Sequence, residues 1–399
     1  MSKSTVTSRL FSLGSYTRRK PVEKSLSEEN NERTLTWVDL TLYGIAATVG
    51  SGVYATVGEV ASGYYDSTAK HGAATGPAVV LSTLIAAGLS LLTSICYLEF
   101  ASALPISGSG YAYFYSMIGE FLGWFIGWNL TLEYAFAAAA LAGKWSDSLK
   151  NLLPRELSSN LLFIFNYELS SVYPQFRLNV IAALLVLGVG LFVRQGVKMG
   201  ARFTNAATVM NLTLILFVIV VGASQVKIAN WTPFIAEMKE KGTAKSAVSR
   251  IVGGGAYMFF CFIGYDTVST LSADAINPAR DIPIAAFLTI GTAAALYSAV
   301  GLILTGMVPW QDIAKEAPLA SAFETVKLGW AKYIVNGFSL VNIAITVFAC
   351  LMGQPKIFAA IARDGLLPQS LAVENSNGVA SGALMLAVCG TALISGFYD

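Results

Sequence analysis

Nine stretches of the chain are long and apolar enough to cross a lipid bilayer, and they leave few possible folds. About 20 helical residues cross the roughly 30 Å of hydrocarbon in a bilayer. Only helices and closed barrels satisfy every backbone hydrogen bond in lipid, and no stretch shows the strand alternation of a membrane barrel. We therefore predict an all-α integral membrane protein with about nine spans, numbered here in chain order: 38–60, 77–102, 121–142, 178–194, 200–223, 251–272, 283–308, 333–353 and 380–396.

Composition supports lipid as the main solvent and excludes several functions. Only 13% of the 399 residues are charged, against roughly 25% in soluble proteins. The net charge of +2 predicts no nucleic-acid partner. One histidine and four cysteines, the latter within apolar runs, predict no metal site. With no phosphate-binding loop and no nucleophile–base pair in a span, we expect neither a cofactor nor an enzyme.

Residues 1–36 are polar and serine-rich, and we predict a disordered tail before a membrane domain at 37–399. Seven Lys or Arg residues precede the first span, and the short loop between spans 4 and 5 adds three more. Both segments lie on the same side of a membrane. Because basic loops favour the cytoplasm, we predict a cytoplasmic N-terminus.

Spans 1 and 6 are interrupted by glycine. Gly50, Ser51 and Gly52 lie together in span 1, and Gly264 precedes the carboxylate of Asp266 in span 6. Each glycine inside a helix costs about 1 kcal/mol relative to alanine. Interrupted spans at corresponding positions of two halves are typical of the binding site of a secondary transporter.

The interrupted segments also resemble a known family. GIAATVGSGVY (44–54) is similar to the first-helix motif of the amino acid–polyamine–organocation superfamily, and FIGYDTVSTLSADAINPARDIP (262–283) to the sixth-helix motif of its cationic amino acid transporter branch. Residues 97–136 resemble the second and third helices of that branch, and GQPKIFAAIARDGLLP (353–368) resembles the loop after its eighth helix. The resemblance runs from about residue 34 to 371.

The resemblance implies an inverted five-plus-five helix bundle with helices 1 and 6 broken. The first repeat would cover about 37–223 and the second about 251–399. The chain ends at the ninth span, so we expect the tenth core helix to be missing. Either the chain is a piece of a longer transporter, or it is an incomplete one that acts as a receptor or partner subunit. Plasma and vacuolar membranes are both typical of this branch, and the sequence does not indicate an oligomeric state.

The same resemblance assigns the substrate site to the two breaks. Thr48, Gly50, Ser51 and Gly52 would form the end of a half-helix, whose N-terminal charge of about +0.5 suits a carboxylate. The alternative is a close helix contact through small residues. In span 6, the carbonyl groups of Phe262, Ile263 and Tyr265 around Gly264 would bind the substrate ammonium, and the ring of Phe260 would cover the substrate. The alternative is that these apolar residues belong to an ordinary apolar helix.

Two acidic residues lie within apolar spans. An unpaired carboxylate costs about 2.5–3.5 kcal/mol at a bilayer centre, so Asp266 and Glu133 should face the bundle interior. Asp266 either caps the broken helix, balances a cationic substrate, or bonds to span 1 or span 5. Glu133 either faces a substrate cation or makes a polar contact between helices. Glu99, Arg363 and Asp364 match positions expected at a gate or turn on the cytoplasmic side.

Asn211 departs from the family pattern. The resemblance places a lysine here in proton-coupled bacterial relatives, and asparagine cannot titrate. We therefore favour exchange or uniport of amino acids by alternating access, and transport linked to a gradient is the alternative. Arginine, lysine and ornithine are the expected substrates, and a neutral or broad-range permease is the alternative.

Overall fold

The structure is a computed structural model, and it describes residues 18–21, 33–50, 52–63, 73–105, 109–153, 167–168, 177–236, 246–314 and 317–397. These residues are mostly helical. The helices, in chain order, are α1 (Trp37–Thr48), α2 (Val57–Ser62), α3 (Val79–Ala103), α4 (Ser109–Met117), α5 (Glu120–Leu152), α6 (Val180–Val193), α7 (Val197–Ala223), α8 (Ala247–Phe259), α9 (Tyr265–Thr270), α10 (Pro278–Met307), α11 (Pro318–Thr325), α12 (Gly329–Arg363) and α13 (Ser381–Phe397). A π-helical segment, Gly52–Thr56, leads into α2, and two-residue strands β1 (Tyr167–Glu168) and β2 (Arg177–Leu178) pair antiparallel.

Five helical stretches are long and apolar enough to cross a membrane, which supports an integral multi-pass protein. They are Gly76–Ala103, Glu120–Lys150, Ala247–Thr270, Pro278–Met307 and Gly329–Arg363. The two halves of span 1 form a sixth if they are counted together, with a bend of 46° between them. Three shorter apolar helices correspond to spans 4, 5 and 9. Each predicted run therefore contains helix, whereas the total of nine spans stays a prediction.

Two segments are more helical than the sequence predicts. Span 3 is predicted at about 121–142, and α5 contains this run and continues to Leu152. The segment from Gly353 to Arg363, which resembles a loop, is the last part of α12 and contains Pro355. A proline removes one helical hydrogen bond, but the surrounding residues of α12 are buried against other helices, and this packing holds the helix. The chain turns just beyond, where Gly365 has a φ of +81°.

The long helices pack in two groups. In one group, α10 packs against α1 and α3, and α3 also packs against α8. In the other group, α5 packs against α12 and α13, and α6 packs against α13. One apolar cluster in the first group includes Met258 and Tyr297, and one in the second group includes Val186 and Phe348. A third cluster joins the groups, because residues of α1 and α10 pack in it with residues of α5 and α12. Both broken spans belong to the first group, and α12 of the second group contacts α1 beside its break.

Candidate functional site

The breaks in spans 1 and 6 touch each other at Gly264. Its φ is +141°, a backbone conformation that residues with a side chain rarely adopt. A Cβ atom there would lie 2.4 Å from Thr48 Oγ1 and 2.8 Å from the Thr48 nitrogen. Only glycine allows this approach, which brings together two of the residues that the sequence assigns to the site.

Side chains from other helices satisfy the carbonyl groups that the break in span 1 exposes. The Nδ2 atoms of Asn211 on α7 and Asn342 on α12 both donate to the Val49 carbonyl oxygen, at 2.9 and 3.0 Å. The Tyr297 hydroxyl on α10 lies 2.7 Å from the Thr48 carbonyl oxygen. An unwound backbone is tolerated at membrane depth only where such partners exist.

Asn211 also reaches across the break. Its Oδ1 accepts a hydrogen bond of 2.6 Å from the Tyr54 hydroxyl, in the π-helical segment beyond the break. The amide therefore joins the two halves of span 1 through Val49 and Tyr54. Asn211 is buried, with 3% of its surface exposed.

The Tyr297 hydroxyl lies between the two broken spans. Besides Thr48, it lies 3.0 Å from the carbonyl oxygen of Cys261 in span 6. A hydroxyl has one hydrogen, so only one of these two carbonyl groups receives it at a time. The ring is fully buried and packs edge-on against Phe262, with centroids 5.3 Å apart.

The glycines of span 1 have a packing reason as well as the predicted binding role. A Cβ atom at Gly52 would lie 2.8 Å from Cys261 Cβ and 3.0 Å from the Tyr297 hydroxyl. The Gly50 N–H donates to the Thr48 carbonyl oxygen at 2.9 Å. A Cβ atom at Gly50 would lie 2.6 Å from Thr346 Oγ1. Gly50 and Gly52 therefore allow close contacts with neighbouring helices. Ser51 lies outside the described residues.

The predicted residues of span 6 differ in their surroundings. Phe262 is completely buried in the core, and Tyr265 packs edge-on against Tyr97 at 6.3 Å. Ile263 follows the short helical segment Phe260–Phe262 in the sequence, and its side chain is half-buried. Phe260 is 52% exposed. Of the predicted aromatic positions, Phe260 is therefore the one whose ring the described residues leave about half uncovered.

Asp266 caps the break in span 6 from the first turn of α9. Its Oδ1 accepts a hydrogen bond of 3.1 Å from the Gly264 N–H. Its Oδ2 accepts a hydrogen bond from the Tyr134 hydroxyl on α5. The expected partner on span 1 or span 5 is thus wrong, because the contact goes to span 3. An anionic group at the start of a helix is also favoured by the helix dipole.

Glu133 directly precedes Tyr134 on α5 and is half-buried. Consecutive helical residues point about 100° apart, so Glu133 faces a different direction from the tyrosine that binds Asp266. Among the described residues, no lysine or arginine forms an ion pair with Glu133 or Asp266. In the same part of the chain, no group of three His, Cys, Asp or Glu side chains could hold a metal ion.

The residues predicted for the cytoplasmic gate lie apart from the breaks. Asp364 accepts a hydrogen bond of 2.8 Å from the Tyr111 hydroxyl and lies 2.8 Å from the Lys20 ammonium. Arg363 pairs with Glu374. Glu99 is exposed near the end of α3. A further ion pair joins α12 to the segment after α9. The Lys356 ammonium, two turns before Arg363 on α12, lies 3.0 Å from Asp274 Oδ2.

Sequence reasoning missed four residues that hold the breaks: Tyr134, Tyr297, Asn342 and Thr346. All four are polar residues within apolar runs, which is the signal that could have identified them. Thr48 Oγ1 is a different case. It is buried and has no hydrogen-bond partner among the residues that the structure describes.

The comparisons with known proteins agree with this architecture. A family model described as amino acid permease matches residues 35–398. The chain belongs to the amino acid permease family. The chain is 35% identical over 358 residues to Cationic amino acid transporter 4 of Mus musculus, covering 89% of this chain and 53% of the mouse protein.

Two bacterial relatives carry other names. The chain is 33% identical to the Methylthioribose transporter of Bacillus subtilis, covering 89% of this chain and 73% of that protein. It is 30% identical to the branched-chain amino acid permease of the same organism, covering 90% of this chain and 74% of that protein. The chain thus spans about half the length of the mouse transporter. The names of these relatives differ in substrate.

Proposed function

We propose that this permease carries cationic amino acids across a membrane by alternating access and without a coupling ion. The observation that carries the proposal is the Val49 carbonyl oxygen, which both Asn211 and Asn342 occupy. In related folds, unwound backbone carbonyl groups coordinate the coupling Na⁺ or take part in proton coupling. Here protein amides hold this carbonyl group, and neither amide can titrate.

The proposed architecture is the inverted five-plus-five bundle, with repeats at about 37–223 and 251–399 and a cytoplasmic tail at 1–36. The split of the long helices into two groups supports it, because alternating access needs two bodies that move relative to each other. Tyr134 and Asn342 reach from the second group to the breaks, and an apolar cluster also joins the two groups. The membrane would be the plasma or the vacuolar membrane.

In the proposed substrate site, the α-carboxylate lies at Gly50, Ser51 and Gly52, and the α-ammonium faces the carbonyl groups of Phe262, Ile263 and Tyr265. Phe260, which is half-exposed, covers the ligand. Carboxylate binding at the start of a half-helix is favoured by the helix dipole. Because Gly50 donates within the turn in this structure, its N–H would turn toward the substrate on binding.

Selection for a positive side chain is assigned to Glu133. Asp266 already accepts two hydrogen bonds at the break in span 6, whereas no ion pair to Glu133 exists among the described residues. A bound arginine or lysine would supply the missing positive charge. The names of the cationic amino acid transporters among the relatives support the same choice.

A broad-range or neutral amino acid permease is the second candidate. The observation that favours it is that Asp266 is used for capping, which leaves Glu133 as the one acidic group for a substrate cation among the described residues at the breaks. The branched-chain amino acid permease among the relatives agrees with this candidate.

The experiment is counterflow of labelled arginine into proteoliposomes that contain the purified full chain and are loaded with one unlabelled compound at a time. Arginine, lysine and ornithine should drive strong counterflow, and leucine should drive at least tenfold less. Equal counterflow with leucine would favour the second candidate. No counterflow with any amino acid would contradict both, and unlabelled methylthioribose tests the substrate named for the bacterial relative.

A further inference from the structure

A carboxylate near the end of span 1 touches two other spans. Glu59 lies in the first turn of α2, and its Oε2 accepts a hydrogen bond of 3.0 Å from the Tyr257 hydroxyl on α8. Its Oε1 lies 3.8 Å from the Lys144 ammonium on α5. The side chain of Glu59 is 17% exposed and that of Lys144 is 38% exposed. Neither Glu59 nor Lys144 belongs to the site described above.

These three residues lie at one end of the helix bundle, beside the breaks. Glu59 is near the end of span 1, Tyr257 is in the first half of span 6, and Lys144 is near the end of α5. Tyr257 lies three residues before Phe260, so both point from the same face of the chain. Tyr257 is 39% exposed and Phe260 is 52% exposed. The cluster of Glu59, Tyr257 and Lys144 thus lies about one helical turn, roughly 5 Å along the axis, from the proposed lid.

The charges in this cluster act on any solute that approaches Phe260. The ammonium of Lys144 alone would repel a cation, and charged groups that line a permeation path act as electrostatic barriers. Glu59 cancels that field because it lies 3.8 Å away, and Tyr257 holds the carboxylate in position. A partly exposed ion pair of this length contributes little to stability. Its main physical effect is therefore on the local potential.

We propose that Glu59 is a specificity-determining residue at the mouth of the permeation path, where it neutralises Lys144 and so admits cationic solutes. The proposal rests on the proposed function for the nature of the solute. It concerns access to Phe260, a step before binding at the breaks.

The test measures the potential at Phe260 without requiring transport. A Phe260→Cys reporter in the full chain, reconstituted in liposomes, is treated with two membrane-impermeant methanethiosulfonate reagents, one with a trimethylammonium group and one with a sulfonate group. The ratio of their reaction rates, cation over anion, is the readout. The reaction of Cys96 and Cys389, which are exposed, is measured in protein that retains Phe260 and is subtracted.

Glu59→Gln should lower the ratio by on the order of fourfold, because one unit charge at about 10 Å in water changes each rate about twofold in opposite directions. Adding Lys144→Met to Glu59→Gln should restore the parent ratio. Salt at 1 M should remove the difference, since the screening length falls to about 3 Å. Glu324→Gln is the matched control, because Glu324 pairs with Lys332 at 2.6 Å rather than with Lys144, and it should leave the ratio unchanged.

An unchanged ratio in Glu59→Gln, or a failure of Lys144→Met to restore it, would overturn the proposal. A reporter that reacts with neither reagent would overturn it as well, because Phe260 would not then lie on an aqueous path. If the reaction-rate ratios are as expected but no amino acid drives counterflow, the proposed function is contradicted and the role of Glu59 is not.

Discussion

At the residue scale, two consecutive carbonyl groups at the break of span 1 face three side-chain donors. Tyr297 lies against Thr48, and both Asn211 and Asn342 donate to Val49. A buried carbonyl group that loses its partner costs about 1–3 kcal/mol. These donors therefore fix the shape of the break. We expect that removing a single donor group changes the rate of transport.

Replacing Tyr297 by phenylalanine removes one hydroxyl from between the two broken spans and keeps the ring. We expect Tyr297→Phe to lower the thermal unfolding midpoint in detergent and to slow arginine counterflow severalfold, because the carbonyl groups of Thr48 and Cys261 lose the one donor that they share. Tyr333→Phe is the control, since Tyr333 is 67% exposed. Equal behaviour of the two variants would show that the buried hydroxyl has no special role.

Asn211→Lys would place a titratable group beside the Val49 carbonyl oxygen, where the amide now donates at 2.9 Å. We expect this variant to gain a dependence of uptake on an imposed pH gradient that the parent protein lacks. Asn211→Met is the control, because it removes the same hydrogen bonds without adding a proton site. If both variants respond alike to the gradient, the proposed relation between this position and proton coupling is wrong.

At the element scale, the close approach of the two broken helices depends on Gly264. We expect Gly264→Ala to destabilise the folded protein by about 1–3 kcal/mol, because a side chain is strained at positive φ and its Cβ would lie 2.4 Å from Thr48 Oγ1. Gly291→Ala in α10 is the matched control, since no atom lies within 4 Å of its Cβ position. Unfolding midpoints in detergent compare the two, and an equal effect of both substitutions would contradict the close contact.

Helices and their breaks could be predicted from the sequence, because hydrophobic length and glycine positions are local properties. The partners across the breaks could not. Tyr134 and Asp266 are separated by 132 residues, and Val49 and Asn342 by 293, so their contacts depend on how distant helices pack. The mistaken loop at 353–363 has a related cause, because burial keeps α12 helical through Pro355.

At the scale of the whole molecule, charge selectivity should depend on Glu133. We expect Glu133→Gln to weaken arginine and lysine at least tenfold more than leucine or alanine, because a bound side-chain cation would lose its partner in a site of low polarity. Competition of each amino acid against labelled substrate measures the effect. Glu324→Gln, which removes an exposed carboxylate elsewhere, should leave all four unchanged. An equal loss for all four in Glu133→Gln would make that residue structural.

Transport of amino acids without a coupling ion can be tested by the uptake of labelled arginine into proteoliposomes of the full chain. Na⁺ and pH gradients are imposed separately, and the membrane potential is clamped at zero. We expect arginine to reach the same internal and external concentration in every case. Accumulation above the external concentration under either gradient would contradict it.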